Sequence, residues 1–185
     1  MPDVGLEDEF LAVRAVLEES GVPNALCGGI AANLYRERIR ATDDVDVYII
    51  CSAPELVSLA RQFEDAGWRA HPAWRKAELL RLERDGHPRV DLLVAATAFE
   101  RNAVDRAAIF RVGDNEVRVL LPEDLIVFKL VAGREHDYET VGAIIDAQGA
   151  HLDVDFIQHT LDEFGMSDRW TRALASAART AEDLG

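Results

Sequence analysis

Two neighbouring stretches decide the expected fold: LCGGIAANLY at residues 26–35 and RATDDVDV at residues 40–47. The first stretch is typical of a short apolar strand that enters the pair Gly28-Gly29 and continues directly as a helix. Glycines let a backbone come close to phosphate oxygens, and a new helix points its free N–H groups at them. By itself, however, a glycine pair more often marks a plain tight turn.

The second stretch places Asp44 and Asp46 at the start of an apolar, β-branched strand, residues 45–50. Side chains two apart on a strand share a face, so the two carboxylates lie side by side while Val45 and Val47 point into the core. Like charges this close are unfavourable unless a cation lies between them, and hard oxygen ligands suit Mg²⁺, which takes substrate phosphates as further ligands. The alternative interpretation is an acidic turn that leads into an exposed strand.

A third carboxylate, Asp91, interrupts the apolar strand RVDLLV at residues 89–94. A charge on a strand built for burial needs a partner. If this strand lies beside residues 45–50, Asp91 joins the other two aspartates, and two Mg²⁺ ions held by three carboxylates would clamp the oxygens of a phosphoryl transfer. Asp91 would also help to deprotonate the acceptor hydroxyl. The alternative is an edge-strand aspartate that faces water.

In combination, these motifs resemble the DNA polymerase β-like nucleotidyltransferase superfamily, whose signature is a glycine pair opening a helix, an Asp-x-Asp at the next strand and a third Asp on a later strand. Within it the chain is most similar to small bacterial proteins related to the AbiEii nucleotidyltransferase toxin. Their pattern of Gly-Gly followed by Arg-x-Thr-x-Asp-hydrophobic-Asp corresponds here to Gly28, Gly29, Arg40, Thr42, Asp44 and Asp46.

The resemblance also implies roles outside the three aspartates. The glycine pair would cradle the triphosphate of an NTP, with Arg40 and Thr42 in the same nucleotide-binding pattern. In the expected helical segment at residues 122–137, Lys129 would contact the triphosphate, and Arg134 and Asp137 would orient or brace that site. For Lys129 the alternative is a side chain that extends along a helix flank to solvent.

The order of elements predicts an α/β (α+β) fold, with a short mixed sheet flanked by helices in a nucleotidyltransferase core at residues 1–121 and a helical subdomain at residues 122–185. Helices are expected at residues 6–19, 30–38, 52–66, 136–147, 154–164 and 167–182, and from residue 122 onward. Strands are expected at residues 25–27, 45–50, 77–82, 90–94, 107–112 and 116–121.

Composition limits the classes of partner. The 185 residues carry a formal net charge of -14, which disfavours broad DNA binding but leaves room for a local basic strip at Arg36, Arg38 and Arg40. No export signal is recognisable, and no apolar run reaches the roughly 18 residues that a membrane span needs, so we expect a cytoplasmic protein without membrane association.

The leading hypothesis is therefore an Mg²⁺-dependent nucleotidyltransferase that moves an NMP from an NTP to an acceptor hydroxyl or phosphate and releases pyrophosphate. One alternative is a toxin–antitoxin component of AbiEii type that acts on tRNA or on a protein partner, with a cognate antitoxin or toxin. Another is a catalytically silent nucleotide-binding domain. The acceptor stays open among an antibiotic, a tRNA end and a protein side chain.

Overall fold

A seven-stranded mixed sheet is the central element of the computed structural model, which describes residues 5–72 and 78–182. In that part of the chain the strands are β1 Asn24–Leu26, β2 Asp44–Ile49, β3 Arg69–Pro72, β4 Leu79–Glu83, β5 Arg89–Val94, β6 Ala108–Val112 and β7 Asn115–Val119. Their order across the sheet is β3-β4-β5-β2-β1-β7-β6. The pairs β2–β5 and β1–β7 are parallel and the other pairs are antiparallel. The predicted fold class is confirmed.

The helices are α1 Leu6–Ser20, α2 Gly28–Asn33, α3 Ala53–Asp65, α4 Ala98–Asp105, α5 Pro122–Ala132, α6 Glu135–Gln148, α7 Val154–Glu163 and α8 Ser167–Glu182, with a 3₁₀ turn at Gly149–His151. Local interactions explain where several of these helices begin or end. Helix α3 has its N-cap at Ser52, whose backbone N–H and hydroxyl both donate to the carboxylate of Glu55, at 2.7 and 2.6 Å. Helix α5 begins with a proline and ends at Gly133, which adopts a left-handed conformation. Within the described residues, no helix combines the length and the apolar character that a bilayer span requires.

Two compact units divide the chain: Met1–Ile30 with Ala41–Leu120, and Ala31–Arg40 with Leu121–Gly185. The whole sheet belongs to the first unit, and helices α5 to α8 belong to the second. The predicted boundary at residue 121 differs from this division in the placement of residues 31–40, and as a statement about domains it stays a prediction.

The predicted helix at residues 30–38 is wrong in length, because α2 ends at Asn33. The side chain of Asn33 donates from Nδ2 to the carbonyl oxygen of Arg40 at 2.9 Å and accepts at Oδ1 from the backbone N–H of Arg40 at 3.1 Å. The Nε of Arg36 donates to the same Oδ1 at 2.7 Å. Side-chain bonds of this kind offer the backbone an alternative to the helix, so the chain turns back instead of continuing.

Two elements have no counterpart among the predicted ones. Strand β3 was missed because its residues, RAHP, show no apolar alternation. Helix α4 does carry a usable signal: Thr97 and Glu100 form a capping box, and the hydroxyl of Thr97 accepts from the backbone N–H of Glu100 at 3.2 Å. The predicted strand at residues 77–82 is observed as β4, and its first residue, Ala77, lies outside the described residues.

A fully buried carboxylate, Glu9 of α1, organises one end of the first unit. It accepts from Trp68 Nε1 at 2.7 Å and from Arg84 Nη2 at 2.6 Å, and His87 Nδ1 lies 2.7 Å from its Oε2. The guanidinium of Arg84 also stacks over the Trp68 ring. Because a buried charge needs partners, this cluster ties α1 to Trp68, the residue before β3, and to the turn between β4 and β5.

Candidate active site

The candidate site lies on one face of β2, where the predicted alternation is observed. Val45, Val47 and Ile49 are fully buried, and the alternate positions, beginning with Asp44 and Asp46, are partly exposed. The apolar face of β2 therefore packs in the core, and the two carboxylates lie together on its other face.

Strand β5 brings Asp91 to the same place. The parallel ladder pairs Asp46 with Asp91, one strand apart, and the flanking residues Val90 and Leu92 are fully buried. Since paired residues in a ladder point to the same side of a sheet, Asp91 shares the face of Asp44 and Asp46. Asp91 itself is only 8% exposed. The sheet thus gathers the three predicted carboxylates on one face of two adjacent strands.

Two arginines that sequence reasoning missed bind two of these carboxylates, Asp44 and Asp91. Arg81 of β4 lies opposite Asp91 and donates from Nε to Oδ1 at 2.8 Å and from Nη2 to Oδ2 at 2.9 Å. This hydrogen bonding, with the charge of Asp91, raises the pKa of Arg81 above its ordinary value. Arg89 donates from Nη2 to Asp44 Oδ2 at 2.5 Å, and its Nε lies 3.7 Å from Asp91 Oδ2. For Arg89 the sequence did contain a signal, because Arg89 and Asp91 are two residues apart on one strand and so share a face.

The glycine pair packs directly against the site. Gly28 has φ +64, and a Cβ there would lie 1.9 Å from Asp46 Oδ2. A Cβ on Gly29 would lie 2.6 Å from Thr42 Oγ1, and that hydroxyl is 3.2 Å from Asp44 Oδ1. Because neither position has room for a side chain, the glycines allow the backbone to reach the carboxylate face.

Tyr48 continues the same face of β2 beyond Asp46. Burial, with smaller contributions from neighbouring groups that include Glu100 and Asp46, raises the pKa of Tyr48 well above its ordinary value.

The residues on this face match Mg²⁺ in donor chemistry, since all three are hard carboxylate oxygen ligands. In the described part of the chain, however, no group of three or more His, Cys, Asp or Glu side chains is arranged to hold a metal ion. Asp44 and Asp91 are instead oriented toward the guanidinium groups of Arg89 and Arg81. The donor set fits the ion, while two of its three carboxylates, those of Asp44 and Asp91, now bind arginines.

The remaining predicted residues belong to the second unit, apart from Thr42. Lys129 Nζ lies 3.4 Å from Asp137 Oδ1, and both side chains are largely buried. Asp137 Oδ2 also accepts from the backbone N–H of Arg134 at 3.2 Å, at the start of α6. The anion that the Lys129 ammonium reaches is thus Asp137. The side chain of Arg40 is exposed, and its backbone closes the loop at Asn33.

A mixed sheet that gathers aspartates on a shared face beside a glycine pair is the arrangement expected of a nucleotidyltransferase. The chain belongs to the family described as "Nucleotidyl transferase of unknown function (DUF2204)", whose model matches residues 7–171. The superfamily and the enzyme class predicted from the motifs are thereby confirmed, whereas the AbiEii-like subgroup stays a prediction.

Solved structures share the fold at low sequence identity. The lincosamide antibiotic adenylyltransferase LnuA, bound to lincomycin, is 16% identical with a TM-score of 0.58, over 77% of this chain and 97% of that one. The enzyme ANT(2")-Ia in complex with adenylyl-2"-tobramycin is 18% identical with a TM-score of 0.58, over 84% and 95%. An antigenic nucleotidyltransferase-like protein from Paracoccidioides brasiliensis is 16% identical with a TM-score of 0.55, over 95% and 89%. A comparison with curated protein sequences finds no match.

Proposed function

We propose that this protein transfers a nucleoside monophosphate from an NTP to an acceptor hydroxyl or phosphate, with release of pyrophosphate and dependence on Mg²⁺. The observation that carries the proposal is the ladder register that pairs Asp46 with Asp91 and leaves Asp44 on the same face. Carboxylates are packed together at this site although their charges repel, which is the arrangement that a polyphosphate enzyme needs for its cations.

Asp44, Asp46 and Asp91 are the residues that would hold Mg²⁺, as two ions. When bound, the metal would supply positive charge that offsets the charge of the triphosphate and of the leaving pyrophosphate. The backbone at Gly28 and Gly29, which packs against Asp46 and Thr42, would lie close to phosphate oxygens.

Asp91 would also accept the proton of the acceptor hydroxyl. Its bidentate partner Arg81 fixes the orientation of the carboxylate. The roles of Lys129, Arg134, Arg40 and Thr42 toward the triphosphate rest on the family resemblance alone.

The test uses the full chain, Mg²⁺ and each of the four NTPs labelled at the α-phosphate. Nucleotide binding is measured by calorimetry, and label transfer is measured to total RNA, to protein, and to lincomycin and tobramycin as hydroxyl-bearing small molecules. We expect Asp46→Asn to lose at least about 100-fold in transfer, as for other removed transition-state charges. Asp43→Asn removes the same charge from the exposed neighbouring residue and should retain wild-type activity. Equal transfer by wild type and Asp46→Asn would refute the proposal.

The same experiment separates the alternatives. Mg²⁺-dependent NTP binding without transfer to any acceptor would favour a catalytically silent nucleotide-binding domain. Transfer to tRNA, together with growth arrest that Asp44→Ala abolishes, would favour a toxin of AbiEii type, for which a cognate antitoxin would be sought. Growth arrest that survives Asp44→Ala would indicate action through a protein partner. A cytoplasmic location stays part of the proposal.

A further inference from the structure

The carboxylate face contains its own positive charges. Three aspartates lie on neighbouring positions of β2 and β5, and two arginine side chains reach them from β4 and β5. An ion pair to an arginine relieves the repulsion that three ionised carboxylates would otherwise suffer. The two arginines nevertheless contact the carboxylates in different ways.

Arg81 makes a fixed pair with a single partner. Its guanidinium binds both oxygens of Asp91 in parallel, and the two residues lie directly opposite in the β4–β5 ladder. Bidentate pairs of this type are geometrically specific and are the stronger class of ion pair. Arg81 is therefore suited to hold Asp91 in one orientation.

Arg89 bridges two partners and makes a single contact to each. It donates one bond to Oδ2 of Asp44, and its Nε is 3.7 Å from Oδ2 of Asp91. Its side chain is 46% exposed, so it can move into solvent without a rearrangement of the core. Arg89 is thus the arginine that contacts carboxylates from both strands and that is more easily displaced.

We propose that Arg89 is an internal counter-cation, which neutralises Asp44 and Asp91 in the metal-free protein and competes with a divalent cation for their Oδ2 atoms. This inference rests on the proposed function, because it takes the aspartates to be the metal ligands. It also accounts for the finding that the three carboxylates match a metal in chemistry while two of them are turned toward arginines. Arg89 is a positioning residue in this scheme, and its removal should strengthen metal binding.

The test measures binding of Mn²⁺ alone, by electron paramagnetic resonance and calorimetry, to the full chain without nucleotide. A half-exposed ion pair changes an equilibrium by up to roughly fivefold. Because Arg89 contacts two carboxylates and the contact to Asp91 is the longer one, Arg89→Gln should bind Mn²⁺ between about fivefold and 25-fold more tightly than wild type. Its melting temperature without metal should fall, and Mn²⁺ should restore it. Arg89→Lys, which keeps the charge but not the fork, should lie between the two.

The matched control is Arg69→Gln, which removes the same charge from the same sheet. Arg69 pairs with Asp85 at an exposed site and touches none of the three aspartates. Its Mn²⁺ affinity should stay at the wild-type value, which separates local competition from the general effect of a more negative protein.

Three results distinguish this inference from the proposed function. If Asp46→Asn loses Mn²⁺ binding while Arg89→Gln matches wild type or binds more weakly, the role of Arg89 is overturned and the metal site stands. If wild type and Asp46→Asn bind Mn²⁺ equally, the aspartates are not the site and both proposals fail. If neither wild type nor Arg89→Gln binds Mn²⁺, the competition proposed for Arg89 is overturned, and the proposed function is then judged by NTP transfer.

Discussion

Replacing Gly28 by alanine tests the tightest contact at the candidate site. At φ +64 an L-residue is strained, and the added Cβ would lie 1.9 Å from Oδ2, 2.6 Å from Cγ and 2.7 Å from Cβ of Asp46. Rotation of the Asp46 side chain can move Oδ2 and Cγ, but its Cβ is fixed by strand β2. The backbone at Gly28 therefore has to shift.

The cost has two parts. A left-handed conformation costs an alanine about 1–2 kcal/mol, and forcing extra volume into a packed contact costs about 1–3 kcal/mol more. The total expected for Gly28→Ala is thus about 2–5 kcal/mol. Gly86→Ala is the matched control, because Gly86 has φ +76 and nothing lies within 4 Å of an added Cβ. That variant should lose only the conformational part, about 1–2 kcal/mol.

The assay is urea unfolding of both variants, followed by calorimetric NTP binding in Mg²⁺. Gly28→Ala should be less stable than Gly86→Ala by about 1–3 kcal/mol and should lose NTP binding, since displacement of Asp46 disturbs the carboxylate face. Equal losses of stability in the two variants would show that the packing of Gly28 against Asp46 has no energetic consequence, and the reasoning would fail.

Three further predictions concern stability and reactivity. Glu9→Ala leaves the charge of Arg84 without its buried carboxylate and should cost about 3 kcal/mol in urea unfolding, whereas the exposed Glu7→Ala on the same helix should change stability by less than about 0.5 kcal/mol. Burial, and secondarily Glu55, raise the pKa of Cys51 to about 11. Its alkylation rate should keep rising above about pH 9, and because the unfolded thiol loses its proton first, stability should fall over the same range; alkylation kinetics that level off near pH 9 would contradict this. Thr97→Ala removes the capping hydroxyl of α4 and should cost about 1 kcal/mol by thermal unfolding, and an unchanged melting temperature would show that the cap is not needed.

Local sequence patterns were sufficient to predict most helices and strands of the first unit and the shared face of the two aspartates on β2. Alternation with a period of two reports which face of a strand is buried, and this depends only on neighbouring residues. The prediction of a helix over residues 30–38 was wrong in length. The side chain of Asn33 binds the backbone of Arg40, seven residues further along, and the chain turns there. Strand β3 could not be predicted because pairing with β4, rather than its own composition, makes it a strand.

The contacts of the arginines at the candidate site could not be predicted either, because their hydrogen-bond partners lie on other strands. Arg81 and Arg89 read as ordinary strand residues, and only the ladders of β5 with β4 and β2 show that one lies opposite Asp91 and the other opposite Asp44. The roles assigned to Lys129 and Arg134 came from resemblance and stay predictions, while the structure adds that Lys129 is paired with Asp137.

The sequence by itself determined that Asp44 and Asp46 share a face, that a glycine pair opens the helix before them, and that the chain is a nucleotidyltransferase of mixed α/β fold. Only the tertiary structure decided that Asp91, 45 residues further along, lies directly beside Asp46, with Arg81 opposite it on β4. The physical reason is that the register of two distant strands is set by the packing of both sheet faces, and a shift by one residue would turn Asp91 to the opposite face.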